Sequence, residues 1–287
     1  MPTNPIQIGL CGWGDHDLYP PGTASREKLA VYAAHFPVVE VDSTYYAVPG
    51  EERIARWTEE TPDSFRFVVK AYRELTGHGR REGAPEKSAK EWFREFGKSL
   101  KPMVEASKLT AVLFQFPPWF ECKRENVQYI RRCRQEYPDL PLAVEFRNRT
   151  WFSPEFREKT LSFLEKENLI HVLCDEPQAG IGTVPIVTAV THPGQALVRF
   201  HGRNREGWNQ SGRSNEEWRN VRYAYRYSDE ELKEWVSRVE TLKQEADQIT
   251  LLFNNNSRGD AAPNAKRMTE LLGIEHQGLA SRQLDMF

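Results

Sequence analysis

The sequence predicts an α/β fold, a single TIM-type (β/α)8 barrel. Eight short runs of β-branched, aliphatic and aromatic residues recur along the chain, and segments with a helical period separate most of them. Strands that alternate with helices pair in parallel, and eight β/α units close into a barrel. A chain of 287 residues is long enough for those units.

The first half of the chain supplies four strands and four helices. The strand runs are rich in residues that suit a pleated surface: IQIGLC at 6–11, VVEVD at 38–42, FRFVVK at 65–70 and LTAVLFQ at 109–115. Apolar residues recur at a helical period in segments 25–35, 51–60, 86–100 and 124–136. Each of these strands is therefore predicted to lead into a helix.

The second half continues the pattern less regularly. Its strand runs are LAVEFR at 142–147, LIHVLC at 169–174, ALVRFH at 196–201 and ITLLFN at 249–254. Helices are predicted at 155–167, 229–246 and 262–272, the first two with start signals at Ser153 and Ser228. Residues 176–195 carry no helical pattern, so the sixth crossover is predicted to be irregular. Residues 202–228 form a long loop after the seventh strand.

An open doubly wound sheet is the alternative fold. Such a sheet usually carries a glycine-rich phosphate turn after its first strand. Here Gly9, Gly12 and Gly14 do not have GxGxxG spacing, and no Walker A motif is present. No repeat or linker divides the chain, so we predict one barrel domain at 1–275 and a C-terminal tail at 276–287.

Composition restricts the class of protein. Hydrophobic residues make up 39% and charged residues 28%, which is typical of a soluble globular protein. The net charge of −2 favours neither nucleic acid nor an acidic membrane as a partner. There is no signal-peptide pattern, no apolar run near the ~18 residues of a membrane span and no CxxC pair. We therefore expect a cytoplasmic protein without membrane contact.

Polar residues cluster at the carboxyl ends of the predicted strands. In the seventh strand Val198 and Phe200 share one face, so Arg199 and His201 share the other and should face the lumen. The other strands end in or just before the polar residues Glu40, Asp42, Lys70, Gln115, Glu145, Arg147, Asp175 and Asn254. One interpretation is a buried ion-pair layer. The other is an active site, since barrel enzymes build theirs at this end.

Short motifs lie at the ends of most predicted strands: GLCGW, VEVDSTYY, the lysine that ends the third strand, QFPPWF, VEFRNRTW, RFHGR and FNNN. Together they resemble the YecE-like family, called domain of unknown function 72, from about residue 6 to residue 272. The resemblance implies a TIM-type barrel without an assigned activity. Residues that match the family's motifs are Trp13, Glu40, Tyr46, Lys70, Gln115, Glu145, Arg147, Trp151, Arg199, His201 and Asn254.

These residues indicate a pocket for an anion. Lys70, Arg147 and Arg199 would bind a phosphate or a carboxylate, with the guanidinium groups acting as planar forks. Glu145 and His201 are the candidate catalytic pair, the ionised glutamate as base and the histidine as acid. Alternatively, Glu145 only neutralises Arg147. We expect the substrate to contact Trp13, Glu40, Tyr46, Gln115, Trp151 and Asn254 as well.

The candidate ligands are compatible with more than one kind of site. A metal site could be formed by Glu40, Asp42, Glu145, Asp175 and His201, and these ligands would suit Mg²⁺ or Mn²⁺. A multinuclear zinc site is disfavoured, because His201 is the only histidine at the carboxyl end of a strand. Glu40 and Glu145 could instead be the two carboxylates of a glycoside hydrolase.

The long loop at 202–228 combines arginines with Trp208, Trp218, Tyr223, Tyr225 and Tyr227. Arginines and exposed aromatic rings can bind phosphates and stack on bases, so this loop could bind nucleic acid. Alternatively, it packs over the barrel mouth as a lid.

The last five residues, QLDMF, resemble the peptide with which bacterial proteins bind the DNA sliding clamp. Gln283 would set the register, and Leu284, Met286 and Phe287 would enter a pocket on the clamp. The alternative is a tail that folds back onto the bottom of the barrel.

Three functions follow from these features. The first is an enzyme of DNA maintenance, a phosphodiesterase or other hydrolase of phosphate esters, recruited by the sliding clamp. The second is a small-molecule enzyme for a sugar phosphate or another anion, with the 202–228 loop as its lid. The third is an adaptor without catalytic activity, whose barrel is a rigid scaffold.

Overall fold

The chain folds into a closed barrel of parallel strands, which confirms the predicted fold class. The structure is a computed structural model that describes residues 5–79, 82–83, 86–208, 210, 212 and 214–281, with only the backbone at 215, 216 and 219. The strands are β1 (Ile6–Cys11), β2 (Val38–Val41), β3 (Arg66–Lys70), β4 (Leu109–Gln115), β5 (Leu142–Glu145), β6 (Ile170–Asp175), β7 (Gln195–Phe200) and β8 (Gln248–Phe253). They pair in sequence order, and β1 pairs with β8 to close the sheet.

Helices connect most of the strands. They are α1 (Lys28–Tyr32), α2 (Ser43–Tyr46), α3 (Glu51–Glu59), α4 (Ala89–Ser99), α5 (Lys101–Glu105), α6 (Arg124–Glu136), α7 (Arg157–Lys166), α8 (Arg205–Trp208), α9 (Asn215–Arg222), α10 (Asp229–Leu242) and α11 (Ala261–Leu271). The four that the sequence did not predict, α2, α5, α8 and α9, have at most eight residues, too few to display a clear period. No helix in the described part of the chain is long and apolar enough to span a membrane.

The connections differ in regularity. Residues 176–194, all of them described, form turns and bends with neither helix nor strand, so the sixth crossover is irregular as predicted. The start signal at Ser228 is confirmed, because its hydroxyl accepts a hydrogen bond from the backbone N–H of Glu231 in a capping box. The signal at Ser153 was wrong. A turn follows that residue, and α7 begins only at Arg157 without a side-chain cap.

Alternation along β7 places its side chains as the sequence predicts. The ring of Phe200 packs 4.9 Å from that of Trp235 on α10 and stacks 4.3 Å from that of Phe253, on the helix side of the wall. The side chains of Arg199 and His201 therefore lie on the lumen side, where both are buried. The polar residues of the other strands meet them there.

One glycine is required by the close approach of two strands. A Cβ atom at Gly9 of β1 would lie 2.0 Å from the carbonyl oxygen of Val38 on β2. Real Cβ atoms do not come so close to a backbone oxygen, so the barrel wall excludes any side chain at this position.

The last described residues are anchored at the bottom of the barrel. The hydroxyl of Ser64, just before β3, donates to the carbonyl of Gly278 at 2.7 Å. The backbone N–H of Ala280 donates to the carbonyl of Ala33 at the end of α1. Residues 278–280 of the predicted tail therefore dock on the amino-terminal end of the barrel.

Candidate functional site

Arg199 lies at the centre of the polar cluster in the barrel lumen. Its Nε and Nη2 donate to the two carboxylate oxygens of Glu40 at 2.8 and 2.5 Å. Its Nη1 donates to Glu145 at 2.5 Å. All three side chains are buried, so one guanidinium group ties β7 to β2 and β5 across the lumen. Charge-assisted bonds of this kind are among the strongest polar contacts in proteins.

Arg147 lies just after β5 and is only partly satisfied. Its Nη1 donates to Glu145 at 3.1 Å and lies 3.2 Å from Oε2 of Glu176. Its Nε and Nη2 are buried, yet neither has a hydrogen-bond partner. A buried donor without a partner costs about 1–3 kcal/mol, so these two groups are available to a ligand.

His201 is a neutral ring held from both sides. The pKa of His201 is lowered to about 3, mainly by burial; Glu145 opposes this change and the nearby Arg199 contributes to it. Nε2 lies 3.3 Å from an oxygen of Glu145, and the amide nitrogen of Asn254 lies 3.0 Å from Nδ1. Nη1 of Arg199 also lies 3.4 Å from Nε2. Because an ionised carboxylate only accepts and a guanidinium only donates, these two neighbours of Nε2 favour opposite tautomers of the ring. A neutral histidine does not suit the acid role that the sequence analysis gave it.

The three carboxyl groups of the cluster differ in their pKa. Burial raises the pKa of Glu40 to about 7, although Arg199 counteracts it. Burial likewise raises the pKa of Glu176 to about 7 against the effect of Arg147. Burial alone would also raise the pKa of Glu145, but Arg199 and the other cations hold it well below 4.5. Glu145 is therefore the carboxylate that stays ionised.

Lys70 lies closer to solvent, at the rim. Its Nζ is 3.3 Å from a carboxylate oxygen of Asp42 and 5.1 Å from the centre of the Tyr45 ring. Its side chain is 16% exposed, whereas Arg199 is closed off. Gln115 is aligned with Glu145 in the β4–β5 register, so it faces the same lumen from the neighbouring strand.

The segment after β7 folds over the mouth. Trp208 on α8 is buried, and the guanidinium carbon of Arg147 lies 5.0 Å from its ring centre. Arg222 at the end of α9 packs 4.3 Å from the same ring and 4.5 Å from that of Trp218. We call the helices α8 and α9 together the lid. Its indole rings are covered by Arg222 and by Arg147, which is the packed-lid arrangement that the sequence left open.

Arg222, like Arg147, has a buried N–H group that lacks a hydrogen-bond partner. Its Nε is buried and has no hydrogen-bond partner, and no ion pair of Arg222 falls within the described residues. Burial lowers the pKa of Arg222, and the positive charge of Arg147 lowers it further. Two neighbouring guanidinium groups therefore repel each other beneath the lid, with free N–H donors on both.

Two sequence-based assignments do not fit this geometry. Trp151 lies in a 3-10 helix at Arg149–Phe152 that turns back over the outer wall, where its ring stacks 4.2 Å from Phe146 and its N–H donates to Phe120. Its place is in the packing behind the site. Asp175 points outward as well, because Arg203 donates to it at 2.8 Å and the indole N–H of Trp235 also donates to it.

Two further candidates lie at the edge. Trp13 follows β1, and its ring packs edge-to-face with that of Trp57 of α3 at a centre-to-centre distance of 5.2 Å. Tyr46 ends α2 and is 45% exposed at the rim, where its ring lies 5.0 Å from that of Tyr45. The structure thus gathers Glu40, Glu145, Arg147, Arg199, His201 and Asn254, with Lys70 and Gln115 beside them.

The sequence analysis missed Glu176, Trp208 and Arg222 as members of the site. For Glu176 a signal existed: Cys174 and Glu176 share a face of β6, and Asp175 lies on the opposite one. No local pattern indicates that Trp208 and Arg222 meet, because they lie on different helices of the lid.

The described residues offer two groups with metal-ligand spacing, and both contain a thiol. They are Glu145 with Cys174 and His201, and Cys11 with Glu40 and Asp42. Burial raises the pKa of both thiols well above 9, so they stay protonated. Arginines already occupy the carboxylates of Glu40 and Glu145. The predicted Mg²⁺ or Mn²⁺ set of four carboxylates and His201 does not assemble, since Asp175 points away from the lumen.

The fold and the site together define a (β/α)8 barrel protein with a buried cluster of carboxylates, arginines and one histidine beneath a lid. The chain belongs to the family described as "Protein of unknown function DUF72", whose family model matches residues 7–286. This confirms the resemblance found in the sequence motifs.

One relative matches nearly the whole chain, and another matches a shorter segment. The UPF0759 protein YunF of Bacillus subtilis (strain 168) is 53% identical over 283 residues, which cover 98% of this chain and 100% of YunF. The UPF0759 protein YecE of Escherichia coli (strain K12) is 43% identical over 65 residues, 23% of each chain. Neither name states an activity.

Crystal structures of related proteins have the same fold. A DUF72 family protein from Enterococcus faecalis V583 superposes with a TM-score of 0.90 at 38% identity, covering 98% of this chain and 100% of that one. A DUF72 family protein from Thermotoga maritima MSB8 gives a TM-score of 0.79 at 32% identity, covering 94% and 100%.

The clamp-binding motif lies outside the described residues. Its four predicted contact residues are Gln283, Leu284, Met286 and Phe287. Recruitment by the sliding clamp therefore stays a prediction from the sequence.

Proposed function

We propose that this protein is an enzyme that binds a small anionic substrate, a phosphate ester or a carboxylate, between the barrel mouth and the lid. This is the second of the three functions that the sequence left open. The DNA-maintenance and adaptor functions stay predictions from the sequence.

The observation that carries the proposal is the pair of buried arginines with unused donors. Arg147 and Arg222 both contact the ring of Trp208 and both keep N–H groups without a partner. Their mutual repulsion would be relieved by an anion that accepts from both. The protonation of Glu40 and Glu176 near neutral pH would leave the cluster more positive still.

His201 supplies the group for proton transfer. Glu145 lies 3.3 Å from Nε2 and would orient the ring, which makes Glu145 a positioning residue. In the tautomer with the proton on Nε2, the lone pair on Nδ1 faces the side-chain amide of Asn254, which a substrate hydroxyl or water could displace. His201 would then act as a general base through Nδ1.

The lid explains how a buried site would admit a substrate. The helices α8 and α9 have four and eight residues, and much of what holds them over the mouth is contact between arginines and aromatic rings. Short segments of this kind open on microsecond to millisecond timescales in many enzymes. Closure would exclude water from the bound anion and strengthen its contacts with the two arginines.

Binding is tested by calorimetric titration with inorganic phosphate, sulfate and malonate. We expect saturable binding of at least one of them, weakened about tenfold or more in Arg147→Met and in Arg222→Met, because a hydrogen bond from a charged donor is worth about 1.5–3 kcal/mol. The control is Arg131→Met, which removes an arginine paired with Glu167 on the outer surface. Equal affinity in all four proteins would refute the proposed pocket.

Catalysis is tested with p-nitrophenyl phosphate and bis-p-nitrophenyl phosphate, a monoester and a diester. His201→Gln should lose turnover on whichever is cleaved while keeping its affinity for phosphate. Full turnover in that variant would remove His201 from the mechanism.

A further inference from the structure

A group of aromatic rings is exposed at the rim beside the proposed anion pocket. Trp119, which follows β4, is 66% exposed, and Tyr46 is 45% exposed. Tyr45 and His78 lie between them: the ring centres are 5.0 Å apart for Tyr45 and Tyr46, 5.2 Å for Tyr45 and His78, and 5.8 Å for His78 and Trp119. We call these four residues the aromatic rim.

His78, at the centre of the aromatic rim, is held in place by hydrogen bonds. Arg73 donates from Nε to the carbonyl of Gly79 at 3.0 Å and from Nη2 to that of His78 at 3.2 Å. The hydroxyl of Thr76 lies 2.9 Å from Nδ1 of His78, which sets the ring orientation. A rigid binding surface loses less conformational entropy when a ligand binds.

The aromatic rim is continuous with the cations of the mouth. The Nζ of Lys70 and the guanidinium carbon of Arg73 lie 5.1 and 5.8 Å from the centre of the Tyr45 ring. Burial lowers the pKa of His78 to about 4, and the positive charges of Lys70, Arg73 and Arg147 contribute. The side-chain amide of Asn148, the residue after Arg147, donates to the carbonyl of Pro118, the residue before Trp119, at 2.6 Å. The pocket and the aromatic rim therefore adjoin, and a single ligand could reach both.

From this juxtaposition we propose that the aromatic rim binds a planar ring carried by the substrate, so that the substrate is a ring-bearing anion of the nucleoside monophosphate type. Exposed indole and phenol rings beside lysine and arginine stack on bases of any sequence. The anionic end would occupy the Arg147–Arg222 pocket, and in this respect the inference rests on the proposed function.

The test compares four probes by titration: adenosine 5′-monophosphate, adenosine, ribose 5-phosphate and inorganic phosphate. Trp119→Ala should weaken binding of adenosine and of its monophosphate by about 5- to 100-fold, the range that base stacking on an aromatic side chain supplies. It should leave phosphate and ribose 5-phosphate unchanged. Trp119→Phe should retain most of the affinity, and Val104→Ala, at an exposed apolar position on α5, is the matched control.

The outcomes separate this inference from the proposed function. Unchanged binding of adenosine monophosphate in Trp119→Ala overturns the aromatic site, even if Arg147→Met still abolishes phosphate binding. If Arg147→Met has no effect while Trp119→Ala weakens adenosine, the anion pocket fails and the ring site stands. A single-stranded oligonucleotide that binds more tightly than the mononucleotide, with a steep loss of affinity in salt, overturns the small-molecule class.

Discussion

Replacing Arg199 by methionine is the most direct perturbation of the buried cluster. Methionine has a similar length but no charge, and it would remove the two bonds to Glu40 and the one to Glu145. Glu145 keeps Arg147 as a partner. Among the described contacts, Glu40 keeps only the thiol of Cys11 at 3.3 Å. The variant therefore leaves one buried carboxyl group nearly without compensation.

The expected loss follows from that geometry. Removing one partner of a buried ion pair costs about 3–5 kcal/mol, against a total stability of about 5–15 kcal/mol for a typical domain. Arg199→Met should therefore still fold, with its free energy of unfolding lowered by about 3–5 kcal/mol. The control Arg131→Met breaks a pair that is partly exposed, so it should lose at most about 1 kcal/mol.

The loss should also depend on pH. The pKa of Glu40 in the folded protein is raised from 4.5 to about 7, so the folded state binds more protons and its stability falls as the pH rises from 4.5 through 7. Without Arg199 the pKa rises further, and the fall continues above pH 7. The difference between wild type and variant should therefore grow by up to about 1.4 kcal/mol per pH unit above 7.

Urea unfolding followed by circular dichroism at pH 6, 7, 8 and 9 measures these quantities. The reasoning fails if Arg199→Met loses no more than Arg131→Met, or if its deficit is the same at pH 6 and pH 9.

Three further predictions concern single side chains, each checked by urea unfolding. Glu176→Gln should reduce the fall in wild-type stability between pH 5 and pH 8 by about 2.5 kcal/mol, because the folded-state pKa of Glu176 is raised from 4.5 to about 7; an unchanged pH profile contradicts this. Lys108→Met should cost about 2 kcal/mol or more, since the buried ammonium donates to Thr61 at the end of α3; a neutral result refutes it. Gly9→Ala should prevent soluble folding, because its Cβ would meet the carbonyl of Val38; a wild-type unfolding curve would contradict that steric argument.

The barrel and the centre of the site could be predicted because both depend on local periodicity. Alternation of two along β7 placed Arg199 and His201 in the lumen without any knowledge of neighbouring strands. The same rule placed Glu40 and Glu145, and the carboxyl ends of parallel strands meet by geometry. The pairing of Arg199 with these two carboxylates is consistent with their opposite charges.

The remaining site features depend on contacts that the local sequence does not encode. Trp151 was predicted to touch substrate, but a 3-10 helix carries it to the outer wall. Arg222 meets Trp208 only because two short helices fold against each other across the lid. The neutral state of His201 is likewise invisible in the sequence, because it arises from complete burial.

The docked carboxyl-terminal segment determines which way the barrel would face if that end were held by another protein. Ala280 and Gly278 are fixed below the amino-terminal ends of β2 and β3, at the pole opposite the lid. A protein that bound the chain beyond Ser281 would therefore contact the amino-terminal end of the barrel and leave the lid accessible to solvent. Capture of the protein and entry of its substrate would then take place on separate faces, so neither would obstruct the other.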